Sequence, residues 1–458
     1  MAASAEELRR AYTDRTQTSA RLMEEARRYF PGGDTRSSAY YTPYPAFMAR
    51  GEGCLLWDAD GHEYVDFMNN FTSLIHGHAH PPTVAAVTEQ IARGSAYAAP
   101  SESQLELARL LCERVPSIDE LRFCSSGTEA TSMCVRAARA CTGKPKVMKI
   151  EGGYHGSHEI GEMSLVPLPG KSGPPDEPVT LAPDRSINGS EILDVITIPF
   201  NDADVARARL EERADEVAAL IVEPMLGGLG MVPPEPGYLA ELRKITEECE
   251  VLLIFDEVIT LRLSSGGLQA RSEVTPDLTA MGKIIGGGLP IGAFGGRRDI
   301  LEIFNPDRPD AIMHASTFSG NALTMAAGLA ALRDLAPEDF DRINRLGDRL
   351  RAGFNAAFSN AGIRGQATGI GSLSHLHLWD GPIRNARDCV RGFMEGGRVP
   401  NLLHLGMMRR GIHAQGRQMY CISTPMREAH IDRAAEALAD TLAEARPAIE
   451  QEFPNLLR

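Results

Sequence analysis

The stretch Val251-Leu252-Leu253-Ile254-Phe255-Asp256-Glu257 stays apolar until it meets two carboxylates. An unbroken apolar run of this length is what a strand covered on both faces looks like. Asp256 falls at its carboxyl end, the edge where open α/β sheets place their ligands. A charged pair closing a buried strand needs a partner. Downstream, Met281-Gly282-Lys283-Ile284-Ile285-Gly286-Gly287-Gly288 sets a lysine ahead of a glycine run. That run is not a P-loop, because no G-K-[ST] follows it, and it lacks the G-x-G-x-x-G of a dinucleotide site.

Strand and helix patterns alternate around this stretch. Leu121 to Cys124 reads as a strand and Thr128 to Cys141 as a helix. Lys146 to Ile150 and Val217 to Val222 read as strands, and Tyr238 to Cys249 as a helix with Leu239, Leu242, Ile245 and Cys249 on one side. This predicts a mostly parallel α/β sheet with helices on both faces. Ahead of it, Ala5 to Tyr29 reads as one charged amphipathic helix stopped by Pro31-Gly32-Gly33. Cys54 to Asp58 and Glu63 to Phe67 form a hairpin about Asp58-Ala59-Asp60-Gly61. Leu165 to Ser190, rich in Pro, Gly and Asp, reads as an inserted surface loop. A helix over Ala322 to Leu335 leads into a smaller α+β region.

Hydrophobic residues make up 43% of the 458 positions and charged residues 24%, so a packed core is expected. The net charge of −14 argues against nucleic acid and against anionic membranes as partners. Eight cysteines lack any C-x-x-C pair, which favours buried thiols over disulfides or zinc; no metal site is expected. Met1 to Arg10 has no apolar signal region, and no run is long enough to span a membrane. A cytoplasmic location is the expectation.

Several shorter motifs sit at strand ends. Ser125-Ser126-Gly127-Thr128-Glu129 lies between a strand and a helix, where Ser126 and Gly127 shape the turn and Thr128 opens a helix whose free N–H groups favour a phosphate. The same residues also suit a simple helix cap. Gly152-Gly153-Tyr154-His155-Gly156 offers Tyr154 as a ring to stack on a flat ligand. Glu223-Pro224-Met225 closes another strand, with Glu223 either bonding a ligand or anchoring loops. Thr317, in His314-Ala315-Ser316-Thr317-Phe318-Ser319-Gly320-Asn321, offers a hydroxyl to a phosphate or serves a helix-entry turn. A lysine on glycine-rich backbone can form a Schiff base, and an aspartate at the same edge can keep a pyridinium nitrogen protonated. Lys283 and Asp256 together suggest pyridoxal phosphate chemistry.

Taken in order, S-G-T-E-A, G-Y-H-G, E-P-M, F-D-E-V, G-K-I-I-G-G-G and T-F-S-G-N resemble the class III aminotransferases of the fold-type I pyridoxal phosphate enzymes, over roughly Phe30 to Pro425. The resemblance implies a large domain with a mostly parallel sheet of the seven-stranded type and a small α+β domain. Residues 71–330 would form the large cofactor domain. Residues 331–458 would form the small domain, with residues 1–70 contributing a helix and strands to it. It implies that Lys283 is the Schiff-base lysine and catalytic acid/base, and that Asp256 is the partner of the ring nitrogen. Ser126, Gly127 and Thr128 would hold the phosphate, Tyr154 would pack on the ring, and Glu223 would line the cofactor site. Thr317 would reach the phosphate of the other subunit's cofactor in a homodimer with shared active sites. The cofactor would be pyridoxal 5′-phosphate, passing to pyridoxamine 5′-phosphate in the half-reaction.

Two subgroups are similar. Pro276-Asp277-Leu278-Thr279 resembles glutamate-1-semialdehyde aminomutase. Thr35-Arg36-Ser37, Tyr41-Thr42-Pro43-Tyr44-Pro45 and Thr260-Leu261-Arg262-Leu263 resemble the β-phenylalanine type of β-amino acid aminotransferase. The mutase expects an Asn-containing loop after Glu223-Pro224, where this chain has Met225-Leu226-Gly227-Gly228; the β-aminotransferase has Gln where Leu226 stands. The expected reaction passes the amino group of a β-amino acid to 2-oxoglutarate or pyruvate. Arg36 and Arg417 are the candidate carboxylate clamps, with Tyr41 beside the substrate. The alternatives are the aminomutase and a cofactor-binding scaffold without turnover.

Overall fold

The computed structural model describes residues 5–458. The chain divides into two compact units. The larger comprises Pro81–Phe340 with Ile383–Val390, and the smaller the chain up to His80, Asp341–Pro382 and Arg391–Arg458. The division therefore falls at His80 and Phe340, and the short excursion 383–390, absent from the sequence expectation, belongs with the larger unit.

Seven strands form the sheet of the larger unit: β1 (Glu120–Cys124), β2 (Lys146–Ile150), β3 (Val195–Ile198), β4 (Val217–Val222), β5 (Leu252–Asp256), β6 (Leu278–Gly282) and β7 (Gly292–Gly296). Their spatial order is β1-β7-β6-β5-β4-β2-β3. Only β7 runs antiparallel, to β6 on one side and β1 on the other. This is the mostly parallel seven-stranded sheet expected from the sequence. Both faces of the sheet are covered, which explains the unbroken apolar strands. One face packs Leu220, Val222, Leu253 and Phe255 against Leu239, Leu242 and Ile245 of the helix Tyr238–Glu248. The other packs Ala219, Ile221, Ile254 and Ala280 against Ala130, Cys134 and Ala137 of the helix Gly127–Thr142.

In the smaller unit, Met48–Glu52, Leu55–Asp58, Glu63–Asp66 and Ile412–His413 form a four-stranded sheet, and Gln366–Thr368, Leu373–His377 and Met419–Cys421 a three-stranded one. The predicted single helix over residues 5–29 is two, Ala5–Thr13 and Gln17–Ala26. The break is imposed by a residue distant in sequence. The Asp60 carboxylate, in the hairpin turn, accepts from Thr18 and Ser19 backbone N–H groups at 2.6 and 3.1 Å and starts the second helix there. No helix among the described residues is long and apolar enough to cross a membrane.

Gly292, the first residue of β7, is packed closely against neighbouring backbone. A Cβ there would lie 2.0 Å from the backbone oxygen of Ser126. Backbone cannot yield as a flexible side-chain tip can. Gly292→Ala is expected to cost at least about 1–3 kcal/mol of stability. Urea unfolding would show a lowered midpoint, and an unchanged midpoint would contradict this packing.

Candidate active site

The carboxyl ends of β1, β2, β4, β5 and β6 bring one group of predicted residues to a single edge of the larger unit. Asp256 closes β5 and is 5% exposed. Its Oδ2 accepts from His155 Nδ1 at 2.9 Å, and its Oδ1 accepts the Val258 N–H at 3.1 Å. Because the acceptor is a carboxylate, the proton of a neutral His155 resides on Nδ1. Burial pushes the His155 imidazole down, while Asp256 pulls the other way. His155 is set by the turn after β2, where Gly152 has φ +85°, and a Cβ on it would meet Ala386 Cβ at 2.4 Å. The bond to Asp256 ties His155 to the carboxyl end of β5.

Glu223, one residue past β4, is 4% exposed. It accepts the backbone N–H groups of Tyr154 at 3.0 Å and of Gly227 and Gly228, each at 3.2 Å. Burial, and next the Asp256 carboxylate, push its pKa from 4.5 up to about 8, against those N–H groups and Lys283. Glu223 thus ties the Tyr154 loop to the Gly227-Gly228 turn. The Tyr154 side chain is 39% exposed, and its hydroxyl pairs with Ser157 at 3.1 Å.

Lys283 follows β6 directly and opens the turn Lys283–Gly286. Its φ is +49°, in the left-handed region that non-glycine residues avoid. Such an outlier persists only where its surroundings impose it, and it occurs often at functional sites. At the end of β1, the Ser126 hydroxyl caps the helix Gly127–Thr142 by accepting from Glu129 N–H at 3.2 Å. The Glu129 carboxylate returns to Ser125 N–H at 3.0 Å. Thr128 Oγ1 accepts from Ser157 N–H at 3.2 Å, and a Cβ on Gly156 would lie 2.6 Å from Thr128. Backbone is therefore packed closely around this helix N-terminus, whose first N–H groups have no intrahelical acceptor. Thr317 lies in an exposed loop, next to Ser316, whose hydroxyl is 3.4 Å from that of Ser125. The loop borders a surface groove of about 880 Å³ shared with Gln104, Leu105 and Arg122.

The second group, Arg36, Tyr41 and Arg417, belongs to the smaller unit. Arg36 donates to Asn70 Oδ1 at 2.9 Å, and its guanidinium lies 5.7 Å from the Phe71 ring centroid. Asn69, Asn70, Phe71 and Thr72 form a run with φ between +46° and +73°. Left-handed backbone costs about 1–2 kcal/mol per residue. The Asp66 carboxylate offsets this by accepting from Met68 and Asn69 N–H groups at 2.9 and 3.1 Å, and Asn69 Nδ2 donates to the Cys421 carbonyl at 3.0 Å. Tyr41 is 8% exposed, its hydroxyl shared with Tyr12 and with Ala46 N–H. That side chain is committed to the core of its own unit. Arg417 is exposed, on a loop whose Gln415 reaches the Ser38 carbonyl at 3.4 Å, so the loops of the two arginines touch. Sequence reading missed the left-handed turn; Asn69-Asn70 was its one signal, since Asn tolerates that conformation best after Gly.

The comparisons with known proteins agree with this geometry. The family model for class III aminotransferases matches residues 37–441. The β-phenylalanine transaminase of Variovorax paradoxus is 39% identical over 430 residues, covering 94% of this chain and 93% of that protein. A glutamate-1-semialdehyde 2,1-aminomutase of Methanothermobacter thermautotrophicus is 38% identical over 432 residues, covering 93% and 99%. The crystal structure of an omega-transaminase from Sphaerobacter thermophilus superposes with a TM-score of 0.90 at 45% identity, covering 93% of this chain and 98% of that one. The chain belongs to the class III aminotransferases. It is a pyridoxal-phosphate-dependent enzyme. The residues present fit that cofactor: a close-packed helix N-terminus suits a phosphate, a buried carboxylate suits a ring nitrogen, and Lys283 suits an aldehyde.

A carboxyl whose native pKa lies above its unfolded value binds more protons when folded. Its contribution to stability is present at low pH and is lost as pH rises through the native pKa. For Glu223 that window runs from 4.5 to about 8. Glu223→Gln removes this titration, so the variant's stability relative to wild type is expected to rise across that window. Denaturant unfolding at several pH values reads it directly; a variant-minus-wild-type stability difference that stays constant or falls with pH contradicts the assignment.

Proposed function

We propose that the enzyme transfers the amino group of a β-amino acid to 2-oxoglutarate or pyruvate, working as a homodimer with shared active sites. The observation that carries the substrate class is Arg36. Its guanidinium is exposed and rests on an amide and an aromatic ring, both neutral, so its charge stays available to a carboxylate. In a β-amino acid the carboxylate lies one carbon further from the reacting centre than in an α-amino acid. A clamp on a separate loop suits that longer reach. Arg417, on the adjoining loop, is the second candidate and would serve the keto acid. The similarity to a β-phenylalanine transaminase supports the same reading. The homodimer rests on Thr317, offered in an exposed loop beside the solvent-facing Met313 (77% exposed) and Phe318 (60% exposed), apolar surface that a second copy would cover.

When bound, pyridoxal phosphate supplies an aldehyde that condenses with amines and a ring that takes up the electrons of the broken C–H bond. The chain's own residues do the rest. Gly127 and Thr128, at the helix N-terminus capped by Ser126, hold the phosphate with backbone N–H groups. Tyr154 packs on the ring, and Glu223 fixes the Tyr154 backbone. Asp256 keeps the ring nitrogen protonated, and His155 Nδ1–H holds the Asp256 carboxylate in its orientation. The Lys283 amine would take the proton from the substrate carbon bearing the amino group and return it on the other side of the same bond system. With the keto acid the same groups act in reverse.

A panel of amino donors with 2-oxoglutarate as acceptor tests the substrate class. β-Amino acids are expected to be consumed with release of glutamate. No transfer from any of them, with conversion of glutamate-1-semialdehyde in the absence of a keto acid, would replace this reading with the aminomutase. Lys283→Ala is expected to abolish turnover while cofactor is still retained, and steady-state transamination by that variant would refute the lysine's role. Arg36→Ala removes a charge-assisted interaction of about 1.5–3 kcal/mol. It is expected to raise KM for β-amino acids roughly 10- to 100-fold and to leave amines without a carboxylate nearly unchanged. Equal loss for both donor kinds would make Arg36 structural.

A further inference from the structure

Within the buried strand β2 stands a lysine. Lys149 is 0% exposed, between Met148 and Ile150, which are also 0% exposed. An ammonium group without solvent costs several kcal/mol unless it is well hydrogen-bonded, whereas an aliphatic side chain of similar length would cost nothing there. Lys149 Nζ donates to the carbonyl of Gly153 at 2.8 Å and to the carbonyl of Met163. Both carbonyls lie in the segment that leaves β2 and carries Tyr154 and His155. Two residues on, at the same face of the chain, Glu151 is 2% exposed and takes Arg387 through two bonds, at 2.7 and 3.0 Å. Arg387 in turn donates to the carbonyls of Ser172 and Gly173, each at 2.9 Å. One strand end thus fastens the Tyr154 loop through the Lys149 amine and part of the inserted loop through an ion pair. Burial pushes the Lys149 amine down to about 7, against the fields of Glu223 and Glu162.

We infer that Lys149 is a positioning residue for the cofactor: by holding the Gly153 and Met163 carbonyls it sets the Tyr154 backbone and the His155 ring, and through His155 the Asp256 carboxylate. The chain of contacts is continuous. Lys149 holds the Gly153 carbonyl; the next N–H, that of Tyr154, goes to Glu223 at 3.0 Å; the next side chain, His155, goes to Asp256 at 2.9 Å. The inference rests on the reading that this edge binds pyridoxal phosphate, and its test separates the two.

The test is Lys149→Met in the full-length chain, with Lys149→Gln restoring one donor and Lys146→Met as a control that breaks the Lys146–Glu216 pair (2.8 Å) on the same strand. Three quantities are read: the Kd for pyridoxal phosphate, the visible circular dichroism at saturating cofactor, and amide hydrogen exchange over residues 152–164. Lys149→Met is expected to raise Kd at least tenfold, to change the dichroic band and to speed exchange in that segment. Lys149→Gln should fall between it and wild type, and Lys146→Met should match wild type. A Kd within twofold of wild type with an unchanged band would overturn the inference while leaving the cofactor site intact. Failure of wild type itself to bind pyridoxal phosphate would overturn both. Should neither variant fold, exchange in wild-type apoenzyme decides: slow exchange at 153–156 is expected, and exchange as fast as in an open loop overturns the proposal.

Discussion

A carboxylate buried at the end of a strand has to be held, and the arrangement that holds Asp256 organises the candidate active edge of the larger unit. β5 lies between β6 and β4, so Asp256 sits near the middle of the sheet. Its two oxygens are engaged by an imidazole and a backbone N–H. A charge fixed there acts on its neighbours through a medium of low effective dielectric. It opposes the loss of the proton from Glu223 and partly offsets the burial of His155. Lys283 arrives beside this field on strained backbone.

Much of this edge was legible in sequence because its physics is local. An apolar run that ends in Asp-Glu implies a buried strand and a ligand-side carboxylate, and β5 spans Leu252–Asp256 as that reading requires. The helix after Ser126 and the strands at 121–124, 146–150 and 217–222 followed from periodicity alone. What was not legible depends on contacts between segments far apart in the chain. Asp60 splits the first helix from forty residues away. His155 meets Asp256 across 101 positions, and Glu151 meets Arg387 across 236. Lys149 lies inside the predicted strand 146–150, but the carbonyls that hold it, those of Gly153 and Met163, are set by the fold. Tyr41, which looked like a pocket residue beside Arg36, pairs with Tyr12 instead.

The candidate residues for the chemistry and for the substrate class belong to different units of the chain. The candidate groups for cofactor chemistry lie at strand ends of the seven-stranded sheet, where geometry is stiff. The candidate carboxylate clamps sit on loops of the smaller unit, one resting on a left-handed turn that Asp66 and Asn69 hold in place. Loops tolerate replacement more readily than strand ends do. That division is consistent with relatives of nearly equal identity bearing different names, a β-phenylalanine transaminase and an aminomutase.

The account stands on Asp256 as the partner of the ring nitrogen, and the protonation of that nitrogen reports it directly. The enzyme reconstituted with pyridoxal phosphate labelled with nitrogen-15 in the ring would be observed by NMR from pH 6 to 9. The wild-type resonance is expected at the position of a protonated pyridinium throughout that range, and Asp256→Asn should move it to that of a free pyridine at neutral pH. A wild-type nitrogen that titrates like the free cofactor, or one that stays protonated in Asp256→Asn, would contradict the account.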